Sequence, residues 1–404
     1  MKASSTDYKV VIFAACSLLV LSFGYRAGFG LFLQPLSQAQ SWDRGVLSLA
    51  LAIQNLAWGV IAVFAGGLAD RFGNLKVLLA GVFLYASGMW GMAYAQTPLQ
   101  IILTAGVMVG GGIAGTAFGI VLPAMVRAVP EDRRGWALGI GTAAGSFGQF
   151  LIVPIMQQLI ELFTVYPAIK LLAISTFVMA LLAIPLAPFS GANEAKVGEV
   201  SIPLRQILRR AFQVPSYTLL VFGFFVCGFH VAFITVHMPG YVVDLGFSPA
   251  VGAWSISLIG LCNIVGAYIA GVKSSTWPKH KMLVWIYLGR VVAITLFLVI
   301  PVSLVSILAF SGVMGLLWLA TVPPTSGLVS VFFGTRYMAF LYGIVFLSHQ
   351  MGSFLGVWLG GYLYKTTGSY DGIWYLGIFL GLVAAVLHWP ISESNQQIKL
   401  QTAA

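Results

Sequence analysis

Long apolar runs, interrupted at short intervals by clusters of polar and charged residues, recur twelve times along the 404-residue chain. They lie near 10–37, 46–69, 76–95, 98–127, 135–161, 168–188, 214–243, 250–272, 281–301, 303–329, 337–363 and 370–391. Each is long enough to cross the hydrocarbon of a bilayer, which takes about 20 residues in a helix. None has the strict alternation of a barrel strand, and within lipid only a helix or a closed barrel satisfies its own backbone. The pattern therefore predicts an all-α integral membrane protein of twelve transmembrane helices. The least apolar interval, 189–213, carries Lys196, Arg205, Arg209 and Arg210 and divides the helices six and six. The predicted organisation is an N-terminal bundle over 1–190, a cytoplasmic linker over 191–213 and a C-terminal bundle over 214–404.

Composition agrees: 59% of residues are hydrophobic and 8% charged, against roughly a quarter charged in soluble domains. The net charge of +10 changes the picture only by giving an orientation, because the basic residues follow the loops. With both termini cytoplasmic, Lys2, Lys9, Arg71, Lys76, Arg127, Arg133, Arg134, Lys196, Arg205, Arg209, Arg210, Lys273, Lys279, Lys281, Arg336 and Lys399 lie inside. Only Arg44, Lys170 and Lys365 lie outside. Cytoplasmic loops carry the excess of Lys and Arg, which fixes both termini as cytoplasmic; the expected partner is the lipid bilayer and no nucleic acid, and the expected location is a bacterial inner membrane. Cys16, Cys227 and Cys262 all fall in spans without paired spacing, which predicts neither a disulfide nor a metal site. The first apolar run continues through Arg26 to Leu36 without a small-residue cleavage signal and is read as a helix.

Two basic residues, Arg26 and Arg290, fall inside spans. An ionisable group at membrane depth is costly unless it faces a wet cavity or a partner. All eleven acidic residues fall in loops or at span ends, so the natural counter-ion of Arg26 is an anion that arrives from outside.

The two halves align when the chain is shifted by 204 positions. GYRAGF (24–29) falls on GFHVAF (228–233), Pro35 on Pro239, and AGGLADRFGNLK (65–76) beside IAGVKSSTWPKH (269–280). Repeats of this kind place a substrate site between the halves near the midplane. Arg26 then corresponds to His230, with His237 seven residues further along. Further polar candidates for the cavity are Asn55 and Trp58 in helix 2, the stripe Thr142, Ser146 and Gln149 in helix 5, Asn263 in helix 8, and His349 and Ser353 in helix 11. Arg290 in helix 9 snorkels, contacts lipid or reaches into the cavity. Each histidine also has a plain structural reading as a hydrogen-bond partner of a neighbouring helix. The hydroxyls have one as donors to their own i−4 carbonyls.

The loop GGLADRFGNLK resembles the signature G-x-x-x-D-R-x-G-x-x-K/R of the major facilitator superfamily, and with twelve spans in a 6+6 repeat the likeness covers nearly the whole chain. The resemblance implies two pseudo-symmetric six-helix bundles, alternating access, and a conformational latch at Gly66, Asp70, Arg71, Gly73 and Lys76. In it Asp70 pairs at a helix end and Arg71 grips the facing cytoplasmic helix. The patterns F-G-L-F-L-x-P-L and S-H-Q-x-G-S-F-L-G are similar to those of the bacterial monocarboxylate porter and oxalate:formate antiporter branch. That implies transport of a small organic acid, often with a proton. The chain departs from the branch in helix 8, where Ala267 stands at the usual arginine and Asn263 at its acidic partner. The fourth-helix arginine and fifth-helix Gly-Pro motif of other branches are also missing from 104–119 and 141–154.

The resulting expectation is a secondary transporter of a small anionic substrate, acting as a monomer without cofactor. Proton coupling would fall to His230, His237 or His349, whose side chains titrate near neutrality. Facilitated diffusion and anion exchange fit the same residues. Export of drug-like molecules, import of a metal or metal chelate, and a non-transporting sensor are the alternatives. No phosphate loop, H-E-x-x-H or G-x-S-x-G site occurs, so no enzyme is expected.

Overall fold

The structure is a computed structural model and describes residues 8–190, 203–334 and 338–394. The basic residues Lys2, Lys196, Arg336 and Lys399, the acidic residues Asp7, Glu194 and Glu199, and linker positions 191–202 lie outside the described residues. Twelve helices are long and apolar enough to span a membrane. The first six are α1 (Tyr8–Gln40), α2 (Arg44–Phe72), α3 (Asn74–Met92), α4 (Pro98–Ala128), α5 (Glu131–Phe163) and α6 (Val165–Phe189). The second six are α7 (Pro215–Asp244), α8 (Pro249–Lys273), α9 (Lys279–Val299), α10 (Leu304–Phe333), α11 (Met338–Thr367) and α12 (Asp371–His388). A short basic helix, Leu204–Ala211, precedes α7. No strand occurs among the described residues.

Two helices are interrupted at positions that correspond in the repeat. In α4 the regular helix stops at Thr116, Ala117 is extended (ψ −177°), and helix resumes at Phe118. In α10 it stops at Leu317 and resumes at Val322, with Pro323 and Pro324 in the first turn of the second piece. Proline is tolerated there because the first N–H groups of a helix have no intrahelical acceptor.

The halves meet along three seams: α2 against α11, α5 against α8, and α1 against α7. The α2–α11 seam and the α1–α7 crossing are held together toward the end that carries Asp43, while a cavity of about 370 Å³ lined by Gln34, Gln157, Glu161 and Pro239 lies between α1, α5 and α7 at that same end. There Arg44 donates both terminal guanidinium nitrogens to Asp244 (2.5 and 2.8 Å), and Lys365 donates to Asp43 (3.0 Å). A Cβ on Gly30 of α1 would lie 2.6 Å from the Thr235 carbonyl of α7, so only glycine permits that crossing. The contact continues down α2 and α11 as far as Gly59, where a Cβ would meet Gln350 at 2.6 Å. Beyond it, a Cβ on Gly66 or Gly67 of α2, or on Gly343 of α11, would meet nothing within 4 Å. Along α5 and α8 the last cross-half bonds are Ser257 to the Phe150 carbonyl and Asn263 to Ser146; past them Gly139 and Gly271 likewise stand open. The halves thus form a cleft that opens toward the end carrying Asp70.

Candidate substrate site

Arg26 sits at the apex of this cleft. Its Nη2 donates to Asn55 Oδ1 (3.2 Å), and its guanidinium lies 4.6 Å from the centre of the Trp58 ring. Asn55 donates its own amide to the Leu51 carbonyl (2.9 Å), which turns its oxygen toward the arginine. Trp58 is held edge-on between Phe23 (5.9 Å) and Phe346 (5.2 Å), and Phe23 stacks on Phe118 (4.2 Å). Gln350 closes the far side by donating to the Asn55 carbonyl (3.1 Å). Phe346, Gln350 and His349 therefore bring α11 of the second half to the arginine of the first. His349 lies stacked on Phe346 (5.8 Å), with Nδ1 3.0 Å from Gln350 Oε1.

No ion pair reaches Arg26 among the described residues. The carboxylates pair at the ends of the bundle: Asp244 with Arg44, Asp70 with Arg127, Glu131 with Arg134, Asp43 with Lys365, and Glu393 with Lys279 and His280. A guanidinium stacked on indole and bonded once to an amide keeps further N–H donors that an anion can accept.

A family model described as Major Facilitator Superfamily matches residues 15–356. The chain belongs to the major facilitator superfamily. As a member it is a membrane transporter and not an enzyme. It is 26% identical over 382 residues to the MFS-type transporter YcxA of Bacillus subtilis (strain 168), covering 92% of each chain. It is 25% identical over 395 residues to monocarboxylate transporter 13 of Bos taurus, covering 94% of this chain and 88% of the relative. The fold matches that of a D-xylose–proton symporter with a TM-score of 0.77 at 15% identity, over 96% of this chain and 98% of the other.

Within this transporter the remaining candidates separate into three groups. Ser146, Gln149 and Asn263 meet at the α5–α8 seam, where Asn263 donates to Ser146 Oγ (2.8 Å) and Gln149 to the Ile256 carbonyl (2.8 Å). Thr142 does not join them; its hydroxyl donates to the Leu138 carbonyl (2.9 Å), so the expected helix 5 stripe is shortened by i−4 bonding. Ser353 turns back to the Gly228 and His349 carbonyls (3.2 and 3.0 Å).

The second group is buried within the C-terminal half, contrary to the expectation that it lines the cavity. His230 does not face Arg26: its Nε2 donates to the Gly377 carbonyl of α12 (2.8 Å). His237 donates from Nε2 to the Val357 carbonyl (2.9 Å) and lies 3.2 Å from the Tyr370 hydroxyl. Arg290 is wholly buried and reaches inward to the interruption of α10. It donates to the Leu317 carbonyl from Nε (3.2 Å) and Nη2 (2.8 Å), and to that of Trp318 (2.5 Å). A guanidinium at the carbonyl end of a half-helix satisfies groups that the break leaves without partners. Asn263 binds the other side of the same break by accepting from the Leu319 N–H (2.9 Å).

The third group is the loop expected to act as a latch, which makes no ion pair with the other half among the described residues. Asp70 pairs with Arg127 of its own half (3.8 Å), Arg71 lies over the neighbouring Phe72 ring (5.2 Å), and Lys76 is exposed. Gly73 makes the tight turn with φ +88°, a conformation that favours glycine. Gly66 has no close helix neighbour.

Sequence reasoning passed over Gln350 and Phe346, although both lie in a span, one turn apart and therefore on one face of the helix. It also treated Arg44 and Asp244 as loop charges rather than as a pair joining the halves.

Proposed function

We propose that this transporter carries a small organic anion of the monocarboxylate type by alternating access, with a proton bound in the same cycle. The observation that carries the reading is Arg26, a guanidinium between the halves with Asn55 and Trp58 as its partners and no carboxylate beside it among the described residues. The similarity to a monocarboxylate transporter along most of the chain supports the same substrate class. With the basic loops facing the cytoplasm of a bacterium, the cleft opens inward and the Arg44–Asp244 end is the closed outer gate. The division at 190–213 then separates the two bodies that rock, and the 66–76 loop engages the other half when the inner end closes. Proton coupling falls to His349, the one histidine of the three that packs on the cleft-lining Phe346. An anion and a proton held in one low-dielectric cavity attract each other, which is the thermodynamic requirement for carrying both.

The test is thermal stabilisation of the purified protein by a panel of small carboxylates at about pH 5.5 and about pH 7.5, with Arg26→Ala alongside. Stabilisation by one acid, stronger at the lower pH and lost in Arg26→Ala, is the expected result. Stabilisation by neutral or cationic compounds that is equal in Arg26→Ala would end the anion reading.

A further inference from the structure

The repeat that relates the two halves also relates two buried triads, and their difference is chemical. In the N-terminal half, Ser22 of α1 and Thr116 at the α4 interruption share a hydrogen bond (2.9 Å), and Tyr85 of α3 donates to the Ser22 carbonyl (3.1 Å). In the C-terminal half, Cys227 of α7 and Thr321 at the α10 interruption stand in the same relation (3.2 Å), with Nη2 of Arg290 of α9 lying 3.6 Å from the Cys227 sulfur. Each member is displaced by the same interval of 205 residues, one more than the 204-residue register in which Arg26 falls on His230. Where one half holds three neutral hydroxyls, the other holds a guanidinium and a thiol.

The guanidinium needs a counter-charge. Arg290 and Cys227 are both wholly buried within spans, and an unpaired charge there is costly. The α10 carbonyls take up Nε and Nη2, but Nη1 is buried without a hydrogen-bond partner. The titratable groups around the thiol are Arg290 and Tyr287 of α9, His230 of α7, and Tyr342 and His349 of α11. None is a carboxylate. Tyr287 donates its hydroxyl to the Gly223 carbonyl (3.0 Å) and so stays neutral, and His230 gives its proton to Gly377. Of the two acids beside Arg290 among the described residues, Tyr287 and Cys227, the tyrosine keeps its proton on the Gly223 carbonyl, which leaves the thiol, and a thiolate is favoured next to a guanidinium.

We propose that Cys227 is a proton-binding site: a buried thiolate paired with Arg290, with Thr321 donating to its sulfur. Protonation converts a neutral ion pair into a thiol beside an uncompensated guanidinium and adds one positive charge to the C-terminal core. His349 borders the Cys227 sulfur. Gln350 donates its amide to Asn55, so its oxygen accepts from His349 Nδ1–H, and Nε2 carries the lone pair. A proton from the cleft then forms the S–H bond at Cys227 and leaves Arg290 as the added charge. The contacts run on from His349 through Gln350 and Asn55 to Arg26, where the added charge favours an anion. As the coupling group, Cys227 rests on the proton-coupled reading above; as a proton-binding site it does not.

Infrared spectroscopy of the S–H stretch decides the assignment without any substrate. In a Cys16→Ser/Cys262→Ser background Cys227 is the sole thiol. The S–H band is expected to be absent at neutral pH and to emerge on acidification. Arg290→Gln should show the band at neutral pH, and Arg290→Lys should not. A band present at neutral pH in the parent overturns the proposal, and this readout stands even if Arg290→Gln does not fold. With the acid that stabilises the parent, Cys227→Ser should keep counterflow and lose accumulation driven by an imposed pH gradient, while Cys227→Asp, which restores an acid, should regain it. Unchanged gradient-driven accumulation in Cys227→Ser overturns the coupling role. A parent that ignores the gradient ends the proton-coupled reading, and the infrared titration still decides the thiolate.

Discussion

The anion site proposed at Arg26 uses a planar, delocalised charge rather than charge alone. The guanidinium stacks on Trp58 and keeps its fork toward the cleft because Asn55 holds one corner. A lysine at this position would keep the charge but present a compact ammonium without the fork. Arg26→Lys is therefore expected to weaken binding of the stabilising acid by about tenfold or more, corresponding to about 1.5–3 kcal/mol for a hydrogen bond to a charged group. Trp58→Leu should cost less, about 0.5–2 kcal/mol, the range of a cation–π contact. Isothermal titration of both variants checks the order; equal affinity in Arg26→Lys and the parent would mean that the arginine acts only as a point charge. The charge of Arg26 was legible in the sequence because a cation in an apolar run stands out. The position of His230 was not, since correspondence in a repeat fixes the helix but not the direction of a side chain.

Among the elements, α9 and the tail after α12 are tied together outside the membrane. Glu393 accepts from the backbone N–H of His280 (3.0 Å) and from its ring (2.8 Å), with Lys279 at 3.7 Å. Burial pushes the carboxyl up, but the bonds from His280 and the charge of Lys279 outweigh it, so the group ionises below its ordinary value of 4.5. A carboxyl whose pKa is depressed by folding contributes stability above its unfolded value and loses it as pH falls through the folded one. The melting temperature should therefore fall below about pH 4.5, and Glu393→Gln should flatten that part of the profile while lowering stability at neutral pH. A profile identical in the variant would show that the tie contributes nothing. The interruptions of α4 and α10 belong to the same scale. The prolines at 323 and 324 mark the second of them in the sequence, but nothing local shows that Arg290 and Asn263 supply the partners for its broken backbone bonds.

For the whole molecule the conformation is set by which end holds the halves together. Here the Arg44–Asp244 and Lys365–Asp43 pairs close one end, while the loop around Asp70 makes no pair with the other half among the described residues. Arg44 also contacts the Tyr370 hydroxyl (3.4 Å) and lies over the Tyr364 ring (4.1 Å), so its removal frees three partners at once. Arg44→Gln should shift the population toward the state open at the Asp43 end. Spin labels at positions 66 and 343 should then move closer, and the charge swap Arg44→Asp/Asp244→Arg should restore the parent distance. An unchanged distance distribution in Arg44→Gln would remove the gate role.

The sequence by itself determined the solvent, the twelve spans, the twofold repeat, the family loop and the isolation of Arg26. These follow from hydropathy and spacing, which lipid enforces residue by residue because an unsatisfied backbone or charge has no water to turn to. The tertiary structure alone decided which polar residues share the cleft. A helix in a bundle can point the same side chain at a partner half, at a neighbour's carbonyl or at its own preceding turn, and these differ by rotation about an axis that hydropathy does not record. His237 and Arg290 turned inward to carbonyls, Thr142 to its own helix, and Gln350 to the arginine's partner Asn55.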